Sequence, residues 1–127
     1  MNEFENISWI AVISGTVISF LVGWGWYHEK FFGAKWAQGS KVELGSAKDM
    51  PVFAMVTQLL GLFLFAMVIG ITAQFDMLIT AVFTILAICV LSLSAGGFVG
   101  KSTYALVVDA AYLFVAGVVM IVMQGIF

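Results

Sequence analysis

Residues 7–27, 51–73, 77–95 and 104–126 form four long apolar runs, and only one charged residue, Asp109, falls inside any of them. A helix needs about 20 apolar residues to cross the hydrocarbon of a bilayer, so each run is of spanning length. Backbone buried in lipid must pair its N–H and C=O groups internally, which leaves helices or a closed barrel. Barrel strands alternate lipid-facing and lumen-facing residues; these runs are apolar throughout, which selects helices. Composition agrees. Hydrophobic residues make up 63% and charged residues 9%, against roughly 45–50% and 25% in soluble domains. The expected architecture is therefore all-α, a four-helix integral membrane bundle forming a single domain over residues 1–127.

The first run reads as a retained helix. It follows an acidic segment without lysine and ends in Trp24, Trp26 and Tyr27, where a cleaved leader has a basic start and small residues at its end. Residues 28–50 are the only extended polar stretch and are expected to lie at the cytoplasmic interface. Phe32, Lys35 and Trp36 can share one face of a short in-plane helix, while Gly33, Gly39 and Gly45 argue against a long one. Trp24, Trp26, Tyr27, Phe32 and Trp36 are expected to anchor this region among lipid headgroups. Pro51 suits the first turn of the second span. Gln74-Phe75-Asp76 forms a tight turn in which Asp76 can cap the next helix. The glycine-rich stretch from Ser92 to Thr103 is expected to break helix before the fourth span.

Lysine placement predicts topology. Lys30, Lys35, Lys41 and Lys48 lie between spans one and two, and Lys101 lies between three and four. With four spans both connections fall on one side, which the positive-inside rule places in the cytoplasm, giving N-out and C-out.

Within the spans, Ala11, Gly15, Ser19 and Gly23 recur every four residues. Such a small-residue stripe lets helices approach closely, in the same chain or between copies. Asp109 lies about 9 Å into the fourth span at about 1.5 Å per residue. An acid there is either a proton or cation relay, or a group hydrogen-bonded between helices or wetted from the cytoplasm. Tyr112 shares its face and is the expected partner, and Gln58 adds a polar group from the second span. His28 and Glu29 are adjacent in sequence and poorly placed to chelate together, so they read as interfacial. Cys89, the only cysteine, sits in an apolar run and reads as a small buried hydrophobe.

Other chemistry has little to rest on. Five lysines and no arginine give a net charge of −2, not the basic patch of a nucleic-acid binder. Ala95 to Ser102 loosely fits a phosphate-binding loop, but such a loop needs a strand before it and a sheet around it, so no nucleotide partner is expected. No catalytic set, metal site or cofactor site emerges; the chain is expected not to be an enzyme.

Gly23, Trp26 and Tyr27, followed by Phe32, Gly33 and Trp36, resemble the signature of a bacterial family of small four-helix membrane proteins, numbered 1761 among the domains of unknown function. His28-Glu29 stands where that family often has Ser-Pro. The resemblance implies fold and inner-membrane location, and no activity. The expected role is a structural or accessory subunit of a homo- or hetero-oligomeric membrane complex, with the lipid bilayer as its environment. The alternative is a small proton- or cation-coupled transporter or channel built on Asp109.

Overall fold

A computed structural model describes residues 2–41 and 52–127, and every regular element among them is helical. Four helices are long and apolar enough to cross a membrane: α1 (Trp9–Trp26), α3 (Val52–Gln74), α4 (Leu78–Phe98) and α5 (Thr103–Ile126). A short α2 (Ala34–Ser40) lies between α1 and α3 in sequence. Pro51, Gly45 and Lys48 lie outside the described residues.

The helix starts follow local side-chain chemistry. Ser8 caps α1 by accepting from the Ala11 N–H at 3.3 Å, and Ser102 caps α5 by accepting from the Ala105 N–H at 3.1 Å. Each cap satisfies one of the first-turn donors that have no partner within the helix. After Tyr27 the chain turns through extended His28 and a wide turn, Glu29–Gly33, closed by the Gly33 N–H donating to the His28 carbonyl at 2.9 Å. Phe31 is non-helical at φ −117°, ψ −109°, so α1 and α2 are separate rods joined by a kink.

Both tight connections close in one way. At the end of α3 the Met77 N–H donates to Thr72 O and the Asp76 N–H to Ala73 O, with Asp76 left-handed at φ +56°. At the end of α4 the Lys101 N–H donates to Gly96 O and the Gly100 N–H to Gly97 O, with Gly100 at φ +77°. This paired pattern returns the last carbonyls of a helix to the chain that leaves it. Two expectations are corrected here. Asp76 terminates α3 and does not cap α4, whose N-terminus has no side-chain cap. The break before α5 is confined to residues 99–102, because Gly96 and Gly97 continue α4 and the tight turn needs only Gly100 to be left-handed.

Helix α5 is the hub. It packs along α1 on one side and α4 on the other, reaches α3 across the bundle, and carries α2 at its start. The core joins Val12, Phe65, Ala66, Ile69, Ala81, Ile85, Ala116 and Met120. Outward faces stay apolar: Ile10 and Leu21 of α1, Phe53 of α3, Phe83 and Leu91 of α4 and Val107 of α5 are all exposed. Water would not tolerate so continuous an apolar surface; lipid does, and the architecture is that of an integral membrane protein.

The four-residue stripe of α1 meets a four-residue row on α5 in antiparallel register. Gly15 lies against Met120, the Ser19 hydroxyl donates to the Ala116 carbonyl at 3.4 Å, and Gly23 faces Tyr112. Ala11 is wholly buried one turn earlier. The two ends of the bundle are then distinct. At one end the segment before α1 meets the end of α3, where the Asn6 N–H donates to Gln74 Oε1 and Gln74 donates to the Glu3 carbonyl. The opposite end collects the α1 exit, α2 and the α4–α5 turn, and with them Lys30, Lys35, Lys41 and Lys101.

Candidate functional site

Asp109 occupies the second turn of α5, near the lysine end, and three donors from three segments converge on it. The Tyr27 hydroxyl, at the exit of α1, donates to Oδ1 at 2.6 Å. The Trp36 indole N–H, from α2, donates to the same oxygen at 2.8 Å. Lys101, in the α4–α5 turn, forms an ion pair with Oδ2 at 2.7 Å. The side chains of Lys101 and Asp109 retain 25% and 17% of their exposure, so the pair sits at the edge of the packed interior. Charge-assisted hydrogen bonds are roughly twice as strong as neutral ones, and here they tie three segments to one helix.

Aromatic rings enclose this carboxylate. Tyr27 lies edge-on to Trp36 and to Tyr112, with ring centroids 5.0 and 5.6 Å apart. Trp26 packs on Phe32 at 4.8 Å and donates its indole N–H to the Val108 carbonyl at 3.1 Å. Lys101 also lies over the Trp36 ring, 5.6 Å from its centroid. Two close backbone approaches allow the assembly. A Cβ on Gly23 would lie 2.8 Å from the Tyr112 hydroxyl, a clash, so glycine leaves room for that ring. A Cβ on Gly39 would collide with Ser102, whose N–H donates to the Gly39 carbonyl at 3.0 Å and fixes α2 to the start of α5.

Tyr112 does not partner Asp109, contrary to expectation. Its ring fills the space above Gly23, and its hydroxyl reaches across to donate to the Ser19 carbonyl at 2.8 Å. Gln58 touches the same hydroxyl at 3.5 Å, a marginal contact. Of the expected headgroup anchors, Trp24 is exposed, whereas Trp26, Tyr27 and Trp36 direct their polar atoms inward. A buried acceptor on a neighbouring helix outweighs a headgroup contact for these donors, because it would otherwise be left unpaired in a low-dielectric site. His28 accepts from the Lys30 N–H through Nδ1 at 3.1 Å, a local turn contact. Cys89 is half-buried, with its thiol 3.4 Å from the Ala110 carbonyl.

Two features of the sequence, the aromatic signature and the isolated acid, thus belong to one cluster. Asp109 is the one acid within the long apolar runs, and the aromatic side chains with polar donors concentrate between Trp24 and Trp36. That complementarity of one acceptor and several donors was the available signal; the pairing itself depends on how α1 packs on α5 and, for Trp36, on the kink after Tyr27, neither of which residue spacing reveals. Lys101 was separable only once Gly100 was placed in the turn.

The arrangement can hold helices together, and its oxygens are already engaged. Behind Asp109 the interior closes with Tyr112, Ala116 and Met120, which are all buried. A hollow between α1 and α3, lined by Thr16 and otherwise by apolar residues such as Ile13, Val17, Leu59 and Phe63, lies away from the carboxylate. So does a shallow cleft at the opposite end, beside Thr72, Asp76 and Gln124. The stretch from Ala95 to Ser102 follows helix, not a strand, and forms a helix end and turn. Among the described residues no three potential metal ligands lie together. No family model, curated protein or solved structure matches the chain.

Proposed function

We propose that this protein is a structural or accessory subunit of an oligomeric membrane complex, resident in the bacterial inner membrane with both termini outside. The resemblance of the Gly23–Trp36 segment to the small membrane family named above is part of the same reading. One observation carries it: Asp109, the single acid within the long apolar runs, is engaged at both oxygens by Tyr27, Trp36 and Lys101. A relay carboxylate must exchange its proton or cation with a path, whereas this one is spent on joining α1, α2 and the α4–α5 turn to α5. Helix α4 supports the reading further, since most of its apolar surface faces outward and can meet lipid or another helix.

The orientation rests on the lysines. Lys30, Lys35, Lys41 and Lys101 gather at one end of the bundle, and the positive-inside rule assigns that end to the cytoplasm. An amine reagent that cannot cross membranes should label the lysines in inverted vesicles and not in right-side-out ones; the reverse pattern overturns the orientation.

The subunit role is tested by native mass spectrometry after mild extraction from cells at natural expression levels. Stoichiometric partners or a discrete homo-oligomer support it. A monomer alone overturns it. The transport alternative makes a separate demand, that Asp109→Asn abolish flux in proteoliposomes.

A further inference from the structure

The α2–α5 junction gathers three lysines, Lys35, Lys41 and Lys101. Lys101 is committed to Asp109. Lys35 and Lys41 stand on either side of the same short region. The Lys35 amine lies 5.1 Å from the centroid of the Tyr104 ring, on the first turn of α5. The Lys41 amine sits against the α4–α5 turn, 3.7 Å from where a Cβ on Gly100 would be. The Ser102–Gly39 backbone bond holds the two lysine-bearing surfaces together. Both lysines are exposed, and the Lys101–Asp109 contact is the one ion pair among the described residues.

Lys41 is also in an unusual conformation. It ends α2 in the left-handed region at φ +60°, with its N–H turned back to the Gln38 carbonyl at 3.2 Å. Glycine occupies that region without the steric cost that a side chain brings. A lysine there does nothing for the backbone; what it adds is an amine held against the α4–α5 turn.

The surroundings of these amines decide what they fit. Phe98 is 89% exposed and Val99 70%, immediately before the turn, and Phe31 is exposed just before α2. Cations bordered by bare apolar side chains match an amphiphile with an anionic head and hydrocarbon tails. A free anion would gain nothing from the apolar border. Lysine clusters beside a span attract anionic lipid in this manner.

We propose that the α2–α5 junction binds the headgroup of an anionic phospholipid, with Lys35 and Lys41 on the phosphate and Phe98 and Val99 against the acyl chains. This rests on the membrane embedding and on the lysine end lying at an interface, both argued above.

The test uses full-length protein in nanodiscs of equimolar phosphatidylglycerol and phosphatidylcholine, released intact for native mass spectrometry. Wild type should retain phosphatidylglycerol preferentially. Lys41→Gly should lower that preference about fivefold, the contribution of one lysine near an anionic surface. Its unfolding temperature in pure phosphatidylcholine should be unchanged or higher, because glycine relieves the left-handed residue; the loss is then not misfolding. Lys35→Gln combined with Lys41→Gln should bring retention of the two lipids close to parity. The proposal is overturned if wild type takes both lipids equally, if the double variant keeps its preference, or if inorganic phosphate at matched concentration displaces the lipid. Failure of the chain to enter nanodiscs at all overturns the membrane reading, and this proposal with it.

Discussion

In the half of the bundle nearer the termini, Val12, Ile69, Ala81, Ile85 and Met120 interlock, and the buried Thr16 and Thr72 hydroxyls donate only to carbonyls of their own helices. In the lysine half, Tyr27, Trp26, Trp36 and Tyr112 each donate a hydrogen bond to a specific oxygen of a neighbouring element. The first kind of contact is forgiving. In a bilayer, separating two apolar helix faces exchanges side-chain contacts for lipid contacts, so the gain comes from fit alone. The second kind is exacting, since a donor that loses its acceptor in a low-dielectric site has no ready replacement. One half therefore sets how well the helices pack, and the other sets which segments meet.

That contrast is open to measurement by thermal unfolding in a single detergent. The largest effect should come from Asp109→Ala, which strands Tyr27, Trp36 and Lys101 together and should cost about 3 kcal/mol. Trp36 fluorescence should shift as α2 leaves α5. A smaller loss, about 2 kcal/mol, is expected of Met120→Ala, a cavity opposite Gly15 in the apolar half. If Met120→Ala proved the more damaging, the order of importance assigned to the two halves would be reversed. Asp109→Asn retains an oxygen for Tyr27 and Trp36 and loses the ion pair, so about 1 kcal/mol should separate it from wild type. The smallest change belongs to Tyr112→Phe, which deletes the bond to the Ser19 carbonyl; interhelical bonds of this kind average about 0.6 kcal/mol in membranes. Equal losses for Asp109→Asn and Asp109→Ala would assign the whole effect to Lys101 and remove the aromatic donors from the account.

How much of this was legible in the sequence differs between the halves in the same manner. The spans were readable because lipid imposes uniform apolarity over a fixed length, and α3 and α5 begin and end within one residue of the stretches read for them. The stripe at Ala11, Gly15, Ser19 and Gly23 was visible as a face of α1, though its partner row on α5 was not, since a small residue advertises close approach without naming what approaches. The cluster around Asp109 was visible only as parts. Trp26, Tyr27 and Trp36 read as headgroup anchors because their type and position suit an interface; the packing of α1 on α5 turns Trp26 and Tyr27 inward, and the kink at His28–Phe31 brings Trp36 back to the same helix. Tyr112 was matched to Asp109 by helix spacing, yet the empty volume at Gly23 draws its ring to α1. Helix α4 outran the glycines expected to end it, because Gly96 is packed against Leu106 and Lys101 and is thus part of a helix contact.

The cluster around Asp109 also sets a condition on synthesis. Its donors Trp26, Tyr27 and Trp36 leave the ribosome in the first third of the chain, while their acceptors at Val108 and Asp109 arrive only with the last helix. Until then a growing chain holds three aromatic polar groups at the edge of the bilayer without their final partners, and a chain cut short before residue 109 never supplies them. Lys101 precedes Asp109 by a cap and about two helical turns, so the two are ready as a pair when α5 enters. Completion of the last span therefore closes the first.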